Sequence, residues 1–337
     1  MSTPSATPPR NAAPRHLIAV VVLVPVLAAL ALWAFAWPAA RTAPRDVPLG
    51  VAGPAATAQV ERRLAQHDGA FEIHRYADEA AARRAIEDRT VYGAVVVSPQ
   101  GPELLTASAA SPAVAQLLQQ AVTEQTSSEG TPVRTVDVVP APESDPRGAA
   151  LNSSVLPLAL AGIAAGAAVT LLGLRGMRAV SALVGAAALT GLACAALAHS
   201  WLEILTGDWW AEAGVFALAT LAVSAAVAGL AALLGTAGVG IAAGVVMLFG
   251  NPFSGAASAP QMLPDPAGAI GQWLPPGAST TLLRSVSYFD GAAATGPALT
   301  LTWWAAVGLG AVLLGNALRA RTKDAAPAGE REPATVG

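Results

Sequence analysis

Six uncharged apolar blocks stand out along the chain, at 17–38, 152–174, 179–198, 213–234, 237–250 and 299–318. Within each, apolar residues run on without the 3.6- or 2-residue period of a half-buried element, the pattern of helices surrounded by lipid. A run of about 20 such residues covers a hydrocarbon core of about 30 Å. The block at 237–250 is short and glycine-rich, and runs straight into Asn251-Pro252. It reads either as a sixth crossing or as a re-entrant or broken helix. The first block is longer than the 7–15-residue core of a signal peptide, so despite the cleavage-like Ala34-Phe35-Ala36 it is expected to stay as an anchor. Pro25 is tolerable inside it.

Between the first and second blocks the pattern changes. Strand candidates lie at 47–52, 71–76, 91–97, 103–107 and 133–139, and helix candidates at 55–67, 78–89 and 112–127. Asp78 suits an N-cap and Gly69 a helix stop, and Ser98-Pro99-Gln100-Gly101 suits a turn between the third and fourth strands. The order β-α-β-α-β-β-α-β predicts a small α/β domain around a mainly parallel sheet. The predicted architecture is therefore an all-α membrane bundle of about six helices, with an extracytoplasmic α/β domain at 39–150 inserted between helices one and two. The membrane domain at 151–320 carries a proline-rich outer loop at 251–298. Residues 1–16 and 321–337 read as disordered cytoplasmic tails.

Composition sharpens this picture. Charged residues make up 12% of the chain and hydrophobic residues 54%, about half the charged fraction of soluble domains. A net charge of −3 gives no basic surface for nucleic acid, which is excluded as a partner in favour of the lipid bilayer. Arg10 and Arg15, then Arg175 and Arg178, then Arg319, Arg321 and Lys323 all fall on one side of a six-span chain. The opposite loop at 199–212 carries Glu203, Asp208 and Glu212 with no Arg or Lys. This asymmetry predicts a multi-pass plasma-membrane protein with both termini in the cytoplasm. All eight tryptophans, Trp33, Trp37, Trp201, Trp209, Trp210, Trp273, Trp303 and Trp304, map to the outer side, as an interfacial anchoring belt would.

Candidate chemistry is sparse. The single cysteine, Cys194, has no partner for a disulfide, and His16, His67, His74 and His199 are too scattered for a metal site. His67 and His74 are close enough in sequence to approach each other across a helix–strand turn. Asp46, Glu72, Asp78, Glu79, Glu87 and Asp88 read as solvated surface. Gly50-Val51-Ala52-Gly53-Pro54 lacks the third glycine of a phosphate loop. No Asp, Glu, Lys or Arg lies inside a predicted span, so a proton or ion relay lacks its usual residues. Asn152 and Asn316 read as cap or interface residues. The outer acids Glu203, Asp208 and Glu212 show no partner from which a membrane-embedded enzyme could be built. No catalytic, cofactor-binding or metal-ligating residue is assigned, and the chain is expected not to be an enzyme.

Gly162-Ile-Ala-Ala-Gly166 and Gly240-Ile-Ala-Ala-Gly244 are small-xxx-small patterns that permit close helix approach. Prolines divide the outer loop into two short helix candidates, 265–274 and 277–289, whose Trp273, Leu274, Leu282, Leu283, Val286, Tyr288 and Phe289 suit a buried or interfacial face. The loop reads as an outer cap on the bundle or as an outer gate.

One span, an outer α/β domain, then five spans with a proline-rich loop before the last: this layout resembles the ABC-2 type permease superfamily. Residues 47–53 (VPLGVAG), 76–99 (YADEAAARRAIEDRTVYGAVVVSP), 251–255 (NPFSG) and 262–291 resemble its YhgE/Pip (phage infection protein) branch. The resemblance implies the membrane subunit of an exporter of a hydrophobic or amphipathic substrate, a homodimer, and a separate ATPase subunit. The chain itself has no GxxxxGK[ST] loop. It departs from a working permease in its inner links, Arg175-Gly-Met-Arg178 and Gly235-Thr-Ala-Gly238, which are shorter than the elements that usually receive an ATPase. The alternative is therefore a non-transporting envelope scaffold or receptor whose outer domain binds a protein partner or phage.

Overall fold

A computed structural model describes residues 13–53, 69–98, 101–129 and 133–324. The uncharged first block forms α1 (Ala13–Ala40), which leads through an extended turn into the α/β domain. Its strands are β1 (Val47–Ala52), β2 (Phe71–Tyr76), β3 (Gly93–Ser98), β4 (Gly101–Thr106) and β5 (Arg134–Asp137). They lie in the order β2-β1-β3-β4-β5. β1 pairs in parallel with β2 and β3, β4 pairs in parallel with β5, and only the β3–β4 hairpin is antiparallel. β1 is buried almost continuously, as expected of a strand covered on both faces. On one face, α2 (Glu79–Glu87) contributes Ala82, Ala85 and Ile86 against Ala52, Ala94 and Val96. On the other, α3 (Pro112–Glu129) contributes Val114 and Leu118 against Val47, Leu49 and Leu104. Asp78 caps α2, accepting from the Ala81 amide at 2.8 Å. The helix expected at 55–67 lies outside the described residues.

The membrane part contains α4 (Ala149–Leu171) and α5 (Gly176–Ala195), the latter running on as a π-helical turn, Ala196–Trp201. It continues with α6 (Trp209–Leu234) and α7 (Thr236–Val245), which also ends in a π turn, Val246–Gly250. Two helices at the domain end follow, α8 (Ala267–Trp273) and α9 (Pro275–Tyr288), before the last, α10 (Thr295–Asp324). α6 is the hub. It packs against α4, α5, α7, α9 and α10, and 61% of its apolar window is buried, against 6% for α1. Gly162 and Gly166 of α4 let α6 approach so closely that a Cβ at either position would lie 2.7 Å from Val223 or Val227. Gly240 and Gly244 of α7 have open space there instead.

Five helices are long and apolar enough to cross a membrane, where the sequence pattern predicts six. The exception is the block at 237–250. Ten residues of α-helix and five of π-helix reach only ~22 Å, short of the ~30 Å core. The helix stops against the α8–α9 elbow, where a Cβ on Gly250 would lie 2.8 Å from Pro276. That elbow is itself set deep. The Trp304 indole N–H donates to the Trp273 carbonyl at 2.8 Å, so the end of α8 lies level with the tenth residue of α10, ~14 Å from its start.

The ends of the bundle separate cleanly. Arg319 Nη2 donates to the Ala232 carbonyl at 3.0 Å, and Asn316 lies beside Gly176, so the short inner links and the last turns of α10 share one end. The α/β domain, the 199–208 loop and the 251–294 segment share the other. Ala13 and Asp324 both lie at the end away from the domain.

Candidate functional site

The site of interest is the seam where the α/β domain meets the 251–294 segment. It begins with a local oddity at the end of α2. Arg89 N–H donates to the Ile86 carbonyl and Thr90 N–H to the Ala85 carbonyl, the paired bonds of a Schellman helix stop. The residue at this position must adopt a left-handed backbone, and Arg89 does so with φ 59°. Glycine is the usual occupant because any Cβ costs about 1 kcal/mol there. Arginine offsets that cost through its side chain. Its Nη1 donates to the Thr281 carbonyl at 2.9 Å and to Ser285 Oγ at 2.5 Å, and its guanidinium lies 5.1 Å from the centre of the Phe289 ring. One residue of the domain thus grips the second half of α9.

Further bonds surround this grip. Tyr92 is half-buried and its hydroxyl donates to Gln261 Oε1 at 2.9 Å. The amides of Ala43 and Arg45 donate to the carbonyls of Met262 and Gln261, and Met262 and Ala259 enter one face of the domain core while Phe289 enters the other. The 251–294 segment therefore clasps the sheet from both sides. Arg284, on α9, is 4% exposed and donates through Nη2 to the Ala256 carbonyl at 2.6 Å. Burial lowers the Arg89 pKa to about 10, aided by the nearby Arg284 charge, and burial lowers that of Arg284 as well. Burial raises the phenols of Tyr92, Tyr288 and Tyr76 above the ordinary value.

A second polar knot joins α9 to the loop at 202–208. Glu212, read from the sequence as unpartnered, is wholly buried in the first turn of α6. Its Oε1 accepts from the Gly207 amide at 2.9 Å, and its Oε2 lies 2.8 Å from His199 Nδ1 in the π turn that ends α5. The irregular turn is what swings His199 towards α6. Asp208 caps α6 through the Ala211 amide at 2.8 Å, which starts that helix four residues earlier than the apolar block suggests. Glu203 takes no part in the knot. Its carbonyl accepts from Ser144 Oγ, in the segment that joins the domain to α4. Tyr288 donates its hydroxyl to the Ile204 carbonyl at 2.6 Å and Thr206 Oγ1 donates to the Ser287 carbonyl at 3.1 Å. α9 is thereby held at its outer end by both the domain and the membrane bundle.

The remaining sequence candidates are dispersed. His74 pairs with Glu72 at 3.5 Å on the edge strand β2, and His67 lies outside the described residues. Asn152 lies in the first turn of α4 and Asn316 against Gly176. Among the described residues no group of three or more His, Cys, Asp or Glu side chains is placed to hold a metal. A crevice between α4, α6 and α9, lined by Val155, Phe216, Thr280 and Leu283, has a volume of only about 10 Å³, room for about one water. In this conformation it cannot hold a transported molecule. Arg89 and Arg284 are the residues that sequence reasoning missed. The available signal was a helix ending at Glu87-Asp88-Arg89-Thr90 with no glycine where its stop should fall.

Comparison with known families matches the description "ABC-2 family transporter protein" over residues 15–169, which takes in α1, the α/β domain and nearly all of α4. The match supports the ABC-2 permease superfamily and, with the apolar helices, a multi-pass, permease-like membrane protein. Comparisons with curated proteins and with solved structures gave no match.

Proposed function

We propose that the chain is the membrane subunit of an ABC-2 type exporter of the YhgE/Pip-like branch, moving a hydrophobic or amphipathic substrate across the plasma membrane with a separate ATPase. The observation that carries this reading is the family match over residues 15–169, which covers an anchor, an outer domain and the first bundle helix in that order. On this reading the domain is extracytoplasmic, both termini are cytoplasmic, the working unit is a homodimer, and the chain performs no catalysis itself. The clustering of Arg175, Arg178 and Arg319 at the end away from the domain supports that orientation. So do the exposed Trp201 and Trp210 at the domain end. The test is purification of the full-length protein in mild detergent with mass spectrometry of what accompanies it. A stoichiometric ATPase supports the exporter, and reproducible absence of one, with unchanged efflux in a deletion strain, overturns it.

A second reading, a non-transporting envelope scaffold or receptor, is favoured by one feature. α4 and α5 are joined by residues 172–175 alone, and α6 and α7 by Gly235 alone. An ATPase would find little surface there. Retention of an envelope protein or phage component on the purified full-length chain, in place of an ATPase, would favour this alternative.

A further inference from the structure

The seam contains one buried guanidinium, Arg284, and one half-buried, Arg89, with no acid to balance either among the described residues. Among the described residues, neither Arg89 nor Arg284 forms an ion pair with a carboxylate. Tyr92, which interacts electrostatically with both, uses its hydroxyl as a donor to Gln261 and so is a neutral phenol. Arg284 has one hydrogen bond, through Nη2, and its buried Nε has no partner. Ser287, three residues on and on the same side of α9, is 3% exposed with an Oγ that also has no partner. Isolated buried charges and unpaired buried donors are both destabilising. Carbonyl oxygens and the Phe289 ring face offset this for Arg89. They do not do so for Arg284.

We infer that Arg284, with Arg89 and Ser287, forms a site for a phosphate group, either free or carried by a lipid headgroup. Two guanidinium charges match a phosphate dianion or a phosphodiester with a neighbouring anion. The unused N–H donors of Arg284 and the Ser287 hydroxyl supply the several hydrogen bonds that phosphate oxygens take. The site's height in the molecule suits a headgroup. α9 starts at the elbow held by Trp304, and Arg284 lies nine residues further along, a rise of up to ~14 Å. That brings it to the level where α10 begins, at the outer edge of the apolar layer. The inference is independent of whether the chain exports anything.

The test uses full-length protein in a neutral, phosphate-free detergent, with thermal unfolding followed by tryptophan fluorescence. One arm titrates inorganic phosphate against sodium chloride at matched ionic strength. The other adds phosphatidylglycerol to the micelles, against diacylglycerol, which carries no phosphate. Saturation should raise the unfolding midpoint by roughly 5 °C. R284K, which keeps the charge but loses the Nε donor and the planar fork, should need at least about tenfold more probe for the same shift. S287A should weaken the response by several-fold while folding normally. A response to inorganic phosphate assigns the site to the free ion, and a response to phosphatidylglycerol alone assigns it to a lipid. No response in the wild-type protein to either probe, or an equal response in R284K and S287A, overturns the inference. S287A decides the matter by itself if R284K fails to fold.

Discussion

Replacing Arg89 should loosen the α/β domain from α9, and the size of the effect follows from what the side chain touches. Arg89→Ala removes two charge-assisted hydrogen bonds, to Thr281 and Ser285, each worth about 1.5–3 kcal/mol. It also removes the contact with the Phe289 ring, worth about 0.5–2 kcal/mol. Relief of the half-buried charge returns part of this, leaving a net loss of about 2 kcal/mol. Alanine retains the left-handed strain at φ 59°, whereas glycine does not. Arg89→Gly should therefore be more stable than Arg89→Ala by about 1 kcal/mol, although glycine is normally the poorer choice next to a helix. For a chain of 337 residues these losses amount to roughly 3 °C for alanine and roughly half that for glycine. Thermal unfolding in detergent reads the stabilities. Hydrogen exchange on residues 275–288 reads the grip itself, and should rise in both variants. Equal stability of the alanine and glycine variants would refute the account of the helix stop. Wild-type exchange on α9 in Arg89→Ala would refute the account of the seam.

Three further outcomes are expected. Glu212→Ala empties a fully buried position and leaves the Gly207 amide and His199 without their carboxylate, which should cost about 3 kcal/mol, with Glu212→Gln losing less, as read by unfolding midpoints. Ala at Gly166 should destabilise the α4–α6 contact by about 1–3 kcal/mol because a Cβ would sit 2.6 Å from the Ser224 carbonyl. Ala at Gly240 or Gly244, which face open space, should leave detergent stability unchanged. Absorbance titration should show Tyr76, Tyr92 and Tyr288, the chain's three tyrosines, still protonated at pH 10 in the folded protein, since burial raises each of them. The unfolded chain releases those protons first, so stability contributed by the neutral phenols is complete below about pH 10 and falls as the pH rises beyond it.

The membrane helices and the α/β domain were legible because their signals are local. An uncharged run of 20 residues has few stable fates other than a lipid-facing helix. Asp78 announces α2 by bonding an amide three residues away, and alternating strand and helix patterns constrain the sheet order. The partners of Arg89 lie 192 and 196 residues further along the chain. No window of sequence contains both ends of such a bond. Glu212 looked like one more solvated acid at a helix start until the π turn at Ala196–Trp201 brought His199 against it. Gly162-xxx-Gly166 and Gly240-xxx-Gly244 are identical as patterns, yet only the first is packed against another described helix. Spacing permits close approach and cannot say which helix arrives.

The sequence by itself determined that this chain lives in a bilayer, which end carries the arginines and which the tryptophans, and that a small α/β domain interrupts the helices. Each of these is set by transfer free energies and hydrogen-bonding needs of neighbouring residues. Only the tertiary structure decided that the block at 237–250 forms a helix of just fifteen residues ending on the α8–α9 elbow, that α6 is the hub, and that Arg89 of the domain grips the proline-rich segment. Those outcomes depend on which surfaces meet, and packing and desolvation act between residues that are distant in the chain.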